Sequence, residues 1–396
     1  MENNTTIIVL GHNYTSRLGI VRAVGMAGYR VRVIATLKKK PKRHPIDFYS
    51  KFTSDFEYCL RSSDKELVSL LLQNYTEHGK KSILIPTDDY TAHVIDNAYD
   101  TLFPHFIMPS IREKQGEISR LMDKHLQKQY AEQAGFPVVK CWEIDVKDGL
   151  FTIPKDVEYP CFTKPNVSVL GGKNEYMQLC RCEKDLATVL NGIAKKGDCP
   201  MLIEQYVEIE KEYAVLGFRN GHQTSVPYVL YLLEQGKGGH KGVMLMGKVL
   251  PMTQFKGLAE KIEKMLEEIG LVGLFDVDLY ESNGLIYFNE LNLRIGASAY
   301  AVTRTGANLP KMYIQSVLGL HVTPFNEQIE RKDMTFLNEK LNLESLVDRH
   351  LTWGQYKKNI RNADDFFIKA SNDPKPYWQF VVYSYYMRLK TFLFGK

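Results

Sequence analysis

Unbroken apolar runs bounded by turn residues open the chain. Thr6-Ile-Ile-Val-Leu10 reads as a buried strand, the loop Gly11-His-Asn-Tyr-Thr-Ser follows, a helical stretch reaches about Gly28, and Val31 to Ala35 reads as a second strand. With a further strand at Ile83-Leu-Ile-Pro86, the alternation predicts a parallel sheet covered by helices, a Rossmann-like domain over residues 1–115. From Glu117 to Gln133 apolar positions recur at helical spacing, with Ile118, Leu121, Met122 and Leu126 on one face and Gly135-Phe-Pro137 as the stop. Strands and hairpins then dominate: Tyr159 to Lys164, Tyr176 to Cys180, Met201 to Tyr206, Glu212 to Phe218 and Thr224 to Leu233. A helix from Phe255 to Ile269 precedes a strand pair, Leu274 to Tyr280 and Leu285 to Asn289.

Composition narrows the class. A chain of 396 residues is too long for one compact core and points to two or three domains. The net charge of +5 is spread along the sequence, which argues against the concentrated basic face that nucleic acid requires and suits a polyanionic small molecule such as a nucleotide. Six cysteines with no CxxC pairing read as reduced thiols; Cys180 and Cys182 share a strand face, but no second pair completes a metal site. No signal-peptide pattern and no apolar stretch approaching the roughly 20 residues of a spanning helix is present, so a cytoplasmic location is expected.

Candidate chemistry begins with an exclusion. The first turn, Gly11 to Gly19, lacks the closely spaced second glycine that lets a backbone approach pyrophosphate, so the sheet does not imply NAD. Thr87-Asp88-Asp89 follows a strand at the edge where open sheets bind ligands; capping of the next helix explains it equally well. The strongest signal is the hairpin Phe275-Asp-Val-Asp278-Leu-Tyr280, the turn Glu281 to Gly284, and Leu285 to Arg294. Pairing brings Asp278 and Glu290 within reach across strands, while Glu290 and Asn292 share one face. Hard oxygen ligands gathered in this way are what magnesium requires.

That hairpin resembles the ATP-grasp superfamily, whose metal-binding strands carry an acidic residue about a dozen positions before Glu-x-Asn-x-Arg. The resemblance implies that Asp278, Glu290 and Asn292 hold two magnesium ions, with Mn2+ as an alternative, and that Arg294 steadies the phosphoryl or acyl phosphate group. Met122-Asp-Lys124 and Phe162-Thr-Lys164 look like the two phosphate-binding lysines, Lys164 acting with Arg294 in catalysis. Ser168, Gly171, Gly172 and Lys173 resemble the glycine-rich phosphate loop, Glu204 and Val207 the adenine hinge, and Glu212 the ribose position. The family layout implies an ATP-grasp domain over 116–322, with lobes of about 116–205 and 206–322. Among relatives the chain is similar to D-aspartate ligases and carbamoyl-phosphate-synthase-like ligases, which implies ATP, a small-molecule carboxylate and an amine. After Arg294 it lacks the acidic and histidine residues of the biotin carboxylase branch, an argument against bicarbonate. Ser298, Arg304 and Thr305 are substrate-contact candidates. A loop at Gly236 to Gly242, with Lys237 and Lys241, reads as a lid or a solvated connection. The alternative function is a non-catalytic ATP-binding regulatory or scaffold protein with the same fold.

Residues 323–396 are expected as a basic, aromatic, helical tail. Its stretch Pro374 to Lys396 fits either docking on the body or on a second copy, giving a homodimer, or peripheral contact with a membrane.

Overall fold

The computed structural model describes residues 5–61, 63–76, 79–167, 176–236, 243–322 and 333–394. Three sheets organise them. The first is five-stranded and parallel, in the order β3-β2-β1-β4-β5: β1 (Thr6–Gly11), β2 (Arg30–Leu37), β3 (Thr53–Leu60), β4 (Ser82–Pro86) and β5 (Phe106–Ile107). Its central strand is buried at every position because helices cover both faces, which is why it reads as an uninterrupted apolar run. Gly11 at its end lies so close to the Thr87 hydroxyl that a β-carbon would collide with it.

The second sheet is antiparallel, β7-β10-β8-β9, built from β7 (Cys141–Val146), β8 (Cys161–Pro165), β9 (Gln178–Cys180) and β10 (Cys199–Gln205). The helix Glu183–Ala194 closes one face with Leu186, Leu190 and Ile193. Cys161 and Cys180 pair across strands there, buried and not joined by a disulfide.

The third sheet follows the path β16-β15-β11-β13-β14-β17-β18. Its strands are β11 (Lys211–Asn220), β13 (Tyr228–Gln235), β14 (Met244–Pro251), β15 (Leu271–Ser282), β16 (Leu285–Asn292), β17 (Thr335–Leu337) and β18 (Asp365–Phe366). Short β6 (Ser110–Ile111) pairs with β15, and short β12 (Thr224–Ser225) with β11. The helix Leu258–Ile269 packs beneath, its Ile262, Met265, Leu266 and Ile269 meeting Phe275, Val277 and Leu279.

Three expectations change. The helix expected from Glu117 to Gln133 is two, Glu117–Arg120 and Lys124–Gln133, because the Asp123 carboxylate leaves helical geometry to cap the second. The strand expected from Thr224 to Leu233 is split between β12 and β13 at Val226-Pro227, where proline offers no N–H to a ladder. The expected tail, in its described part, brings an unexpected strand, β17, which extends the third sheet against β14, while the helix Lys375–Phe394 takes the docked alternative and packs Phe380 with Leu18, Ile46 and Ile368. Two buried ion pairs fasten this arrangement. Arg17 reaches Asp47 at 2.7 Å, and Arg22 reaches Asp373 at 2.9 Å while also donating to the carbonyls of Phe367 and Ile368.

Candidate active site

The hairpin β15–β16 turns through Asn283 and Gly284, both at positive φ (50° and 72°), the conformation that a two-residue hairpin demands and that Asn-Gly supplies. Counted back from this turn, plain pairing would set Asn289 opposite Asp278. A bulge between Asp278 and Leu279 shifts the register, so Asp278 faces Glu290 and Asp276 faces Asn292. Asn292 Nδ2 donates to Asp278 at 3.0 Å, and Arg294 donates to Asn292 Oδ1 at 2.9 Å. Arg294 also donates to Asp89 at 3.0 Å, so the first sheet's carboxyl edge closes one end of the site.

Carboxylates outnumber cations here. Burial pushes the Asp276 carboxyl up to about 6; the Arg294 guanidinium opposes this, and the Glu290 and Asp89 charges add to it. Asp278 is raised well above the usual range, first by burial, then by Asp276 and Glu290. Asp276 Oδ1 is buried without a hydrogen-bond partner among the described residues.

Opposite lies the reverse imbalance. The helix Lys124–Gln133 is fixed by Gln127, which donates to Leu291 O and accepts from Leu291 N at 2.8 and 2.9 Å, bolting the helix to β16 beside Glu290. Asn166, just past β8, ties down its first turn by accepting from His125 N at 3.1 Å and donating to Asp123 at 2.8 Å. Lys124 and Lys128, one turn apart, face the same way. Lys124 Nζ meets Glu290 at 2.8 Å, whereas Lys128 and Lys164 converge on one oxygen of Glu204 at 2.9 and 2.7 Å. Lys164 also donates to Asn289, the bulge residue, at 3.4 Å, linking the second sheet to the hairpin. Burial holds the Lys128 ammonium below its ordinary pKa, with Glu204 opposing and Lys164 reinforcing the shift. Burial works against the Glu204 charge too, but the two ammoniums outweigh it and hold its carboxyl low. One carboxylate thus serves two buried cations.

The remaining expected residues fall around this core. Glu212 accepts from Gln235, its carboxyl raised by burial against that bond, and sits opposite Tyr280 on β15. Tyr280 stacks on Tyr287, with ring centroids 5.4 Å apart. Val207 is partly exposed just beyond β10. Ser168, Gly171, Gly172 and Lys173, like Lys237 and Lys241, lie outside the described residues. Two substrate candidates have partners within the chain. Arg304 is held by Asp365 at 2.5 Å, and Thr305 is buried with its hydroxyl donating to Val302 O. Ser298 lies partly buried in the loop after Arg294.

Sequence reading placed Asp89 only at the ligand edge of the first sheet or in a capping role, not with the hairpin, and missed Lys128 and Asp276. Signals existed for the latter two: Lys128 stands four residues after Lys124 on one helix, and Asp276 two before Asp278 on one strand. Asp88 takes the capping role, accepting from Thr91 N at 2.8 Å, with His12 Nδ1 at 2.7 Å. Burial opposes its charge, but the bonds from His12 and Thr91 prevail and bring its carboxyl to about 2.

The second and third sheets thus hold lysines on one side and a carboxylate-bearing hairpin on the other within one α/β architecture. Residues 129–310 match the ATP-grasp domain family, and the chain carries an ATP-grasp domain. Over 217 residues it is 22% identical to the carbamoyl phosphate synthase large chain of Vibrio cholerae, covering 54% of this chain and 20% of that one. It therefore spans about a fifth of that relative. It is also 22% identical to the D-alanine–D-alanine ligase of Fusobacterium nucleatum, covering 71% of this chain and 98% of the ligase. N5-carboxyaminoimidazole synthetase from Staphylococcus aureus, solved with ADP, superposes with a TM-score of 0.63 at 18% identity, covering 88% and 87% of the two chains. L-amino acid ligase from Bacillus licheniformis gives 0.61 at 15% identity, covering 85% and 79%. At these identities the structural likeness speaks for the fold.

Proposed function

We propose that the protein is an ATP-dependent carboxylate–amine ligase that forms an amide bond through an acyl phosphate and releases ADP and phosphate. The supporting observation is the pair of opposite charge excesses facing each other across one cleft: Lys124, Lys128 and Lys164 on one side, Asp276, Asp278 and Glu290 on the other. A triphosphate neutralises the first and a divalent cation the second.

The donor set fits magnesium. Asp278, Glu290 and Asn292 supply hard oxygens, and the orphaned Oδ1 of Asp276 shows acceptor capacity beyond what the described residues satisfy. Among the described residues no three acidic, imidazole or thiolate groups already stand at coordinating distance, because Glu290 is drawn to Lys124 and Asn292 turns its amide N–H to Asp278. An amide flip and release of Glu290 by Lys124, once phosphate attracts that lysine, would present the oxygens. Magnesium there would supply charge neutralisation on the phosphate oxygens.

In this reading adenine lies along Glu204 to Val207 and ribose on Glu212. The phosphates replace Glu204 as partner of Lys128 and Lys164, with the Ser168 to Lys173 segment beside them. The substrate carboxylate oxygen attacks the γ-phosphorus and ADP leaves. Arg294, fixed by Asp89 and Asn292, offsets the charge that develops, and the amine nitrogen then displaces phosphate from the acyl carbon. The layout we assign is 1–115 for a substrate-side domain and 116–322 for the two nucleotide lobes. ADP release measured over paired acid and amine libraries, with mass spectrometry of the product, tests the proposal. Magnesium-dependent ATP binding without ADP release for any pair would favour the non-catalytic alternative, and absence of magnesium-assisted ATP binding by calorimetry would overturn both.

A further inference from the structure

One surface combines two features that the ligase reading leaves unused. Five of the six residues from 38 to 43 are basic, Lys38, Lys39, Lys40, Lys42 and Arg43, and all five are exposed. The turn Ile46–Tyr49 that follows packs Ile46 with Phe380 of the helix Lys375–Phe394. That helix buries Pro376 and Phe380 on one side. On the other it exposes Trp378 at 61%, Val382 at 54%, Tyr383 at 47% and Tyr386 at 47%. Positions 378, 382 and 386 form one stripe four residues apart. The Arg43 guanidinium lies 4.4 Å from the Tyr386 ring centroid, so the basic segment and the aromatic stripe are one continuous patch. No acidic residue occurs between Pro374 and Lys396.

We propose that this patch docks the protein on an anionic lipid surface. Tryptophan and tyrosine rings beside lysine and arginine match the headgroup layer, where apolar ring bodies are buried and cations meet lipid phosphate. Among the described residues no helix is long and apolar enough to cross a membrane, so the contact is interfacial. Self-association of the same face is opposed by charge: a two-fold interface would bring two copies of the 38–43 segment together. Each basic residue at an anionic surface strengthens partitioning about fivefold, and the effect is screened by salt.

Co-sedimentation of the full chain with phosphatidylcholine vesicles, with and without phosphatidylglycerol, tests this. The expected result is binding to the phosphatidylglycerol vesicles alone, weakened by added salt. It should fall more than about a hundredfold in K38Q/K39Q/K40Q/K42Q/R43Q and at least about tenfold in W378S/Y386S. ADP release should be unchanged in both, since the contacts of these side chains, Lys40 with Tyr58 and Arg43 with Tyr386, involve no residue of the site. In the unmutated chain, brominated phosphatidylglycerol should quench a tryptophan signal that disappears in W378F, a readout that does not depend on the multiple variants folding. Equal binding to both vesicle types, or retention by the quintuple variant, overturns the proposal. So does concentration-dependent dimerisation in sedimentation velocity that W378S/Y386S abolishes without any vesicle binding, which would make the face an interface between copies.

Discussion

Two buried polar regions of this protein obey opposite rules. Where the carboxy-terminal segment meets the first sheet, Arg17 answers Asp47 and Arg22 answers Asp373, and spare donors are used on carbonyls such as Gly11 O, Phe367 O and Ile368 O. Each charge has one opposite charge, and Asp373 takes further bonds from Ser50 and from Lys51 N. In the cleft, Glu204 is shared by two ammoniums while Asp276, Asp278 and Glu290 crowd one hairpin beside a single guanidinium. Balance marks the region that holds the fold; imbalance marks the region that waits for charged partners.

Substitution should separate the two regions most sharply through their opposite responses. Asp278→Asn keeps the shape of the side chain and removes one crowded negative charge. ADP release should fall about a thousandfold, the scale of losing a group that organises transition-state charge, while the melting temperature stays level or rises. A loss of stability with activity retained would mean that the hairpin carboxylates are structural. Arg22→Ala should do the reverse, leaving Asp373 buried and uncompensated at a cost of about 3–5 kcal/mol in chemical denaturation. Activity per folded molecule should survive at temperatures where the variant remains folded.

The two regions also differ in how far the sequence disclosed them. The hairpin was legible because its signals are local: apolar alternation, an Asn-Gly turn, and acids at fixed spacing on neighbouring strands. Even there, the bulge that sets Asp278 against Glu290 leaves no mark that counting from the turn would reveal. Asp89 and Arg294 stand 205 positions apart and meet only because the first sheet's edge abuts the hairpin. Arg22 and Asp373, 351 apart, were equally silent, since a lone arginine in a helix and a lone aspartate in a loop look like solvated charges. The residues from 333 onward read as a tail because β17 has only three residues, too few for a periodic pattern, although it extends a large sheet.

Smaller effects sharpen the account of the lysine side. If phosphate takes the place of Glu204, Lys128→Met should raise the KM for ATP about tenfold or more, with kcat less affected. Glu204→Gln should leave Lys128 and Lys164 facing each other without their shared anion, so that variant should gain stability from added ATP or inorganic phosphate more than the unmutated protein does. Steady-state kinetics and thermal shift measure both. An unchanged KM in Lys128→Met would assign that lysine to holding Glu204 rather than nucleotide.

Glu339 offers a way to break the rule itself, because it is an unbalanced, half-buried acid outside the cleft. Its carboxylate accepts from the backbone N–H groups of Ile368 and Lys369, at 3.0 and 2.7 Å, at a groove of about 260 Å3 lined by Tyr356, Tyr377 and Phe380. Burial pushes its carboxyl up to about 7 from the usual value near 4.5, against the pull of those N–H groups and of Arg22. Since the folded state holds a proton that the unfolded chain releases between those two values, stability from this group is full below the lower one. It is lost as pH rises through about 7. Relative to Glu339→Gln, the unmutated protein should therefore lose about 1–3 kcal/mol between acid and neutral pH, read by chemical denaturation across that range. Parallel stability curves would show that the backbone cradle fully offsets burial. A curve that flattens when a small primary amine with an apolar body is added would instead place Glu339 with the cleft, as an unbalanced charge awaiting a ligand.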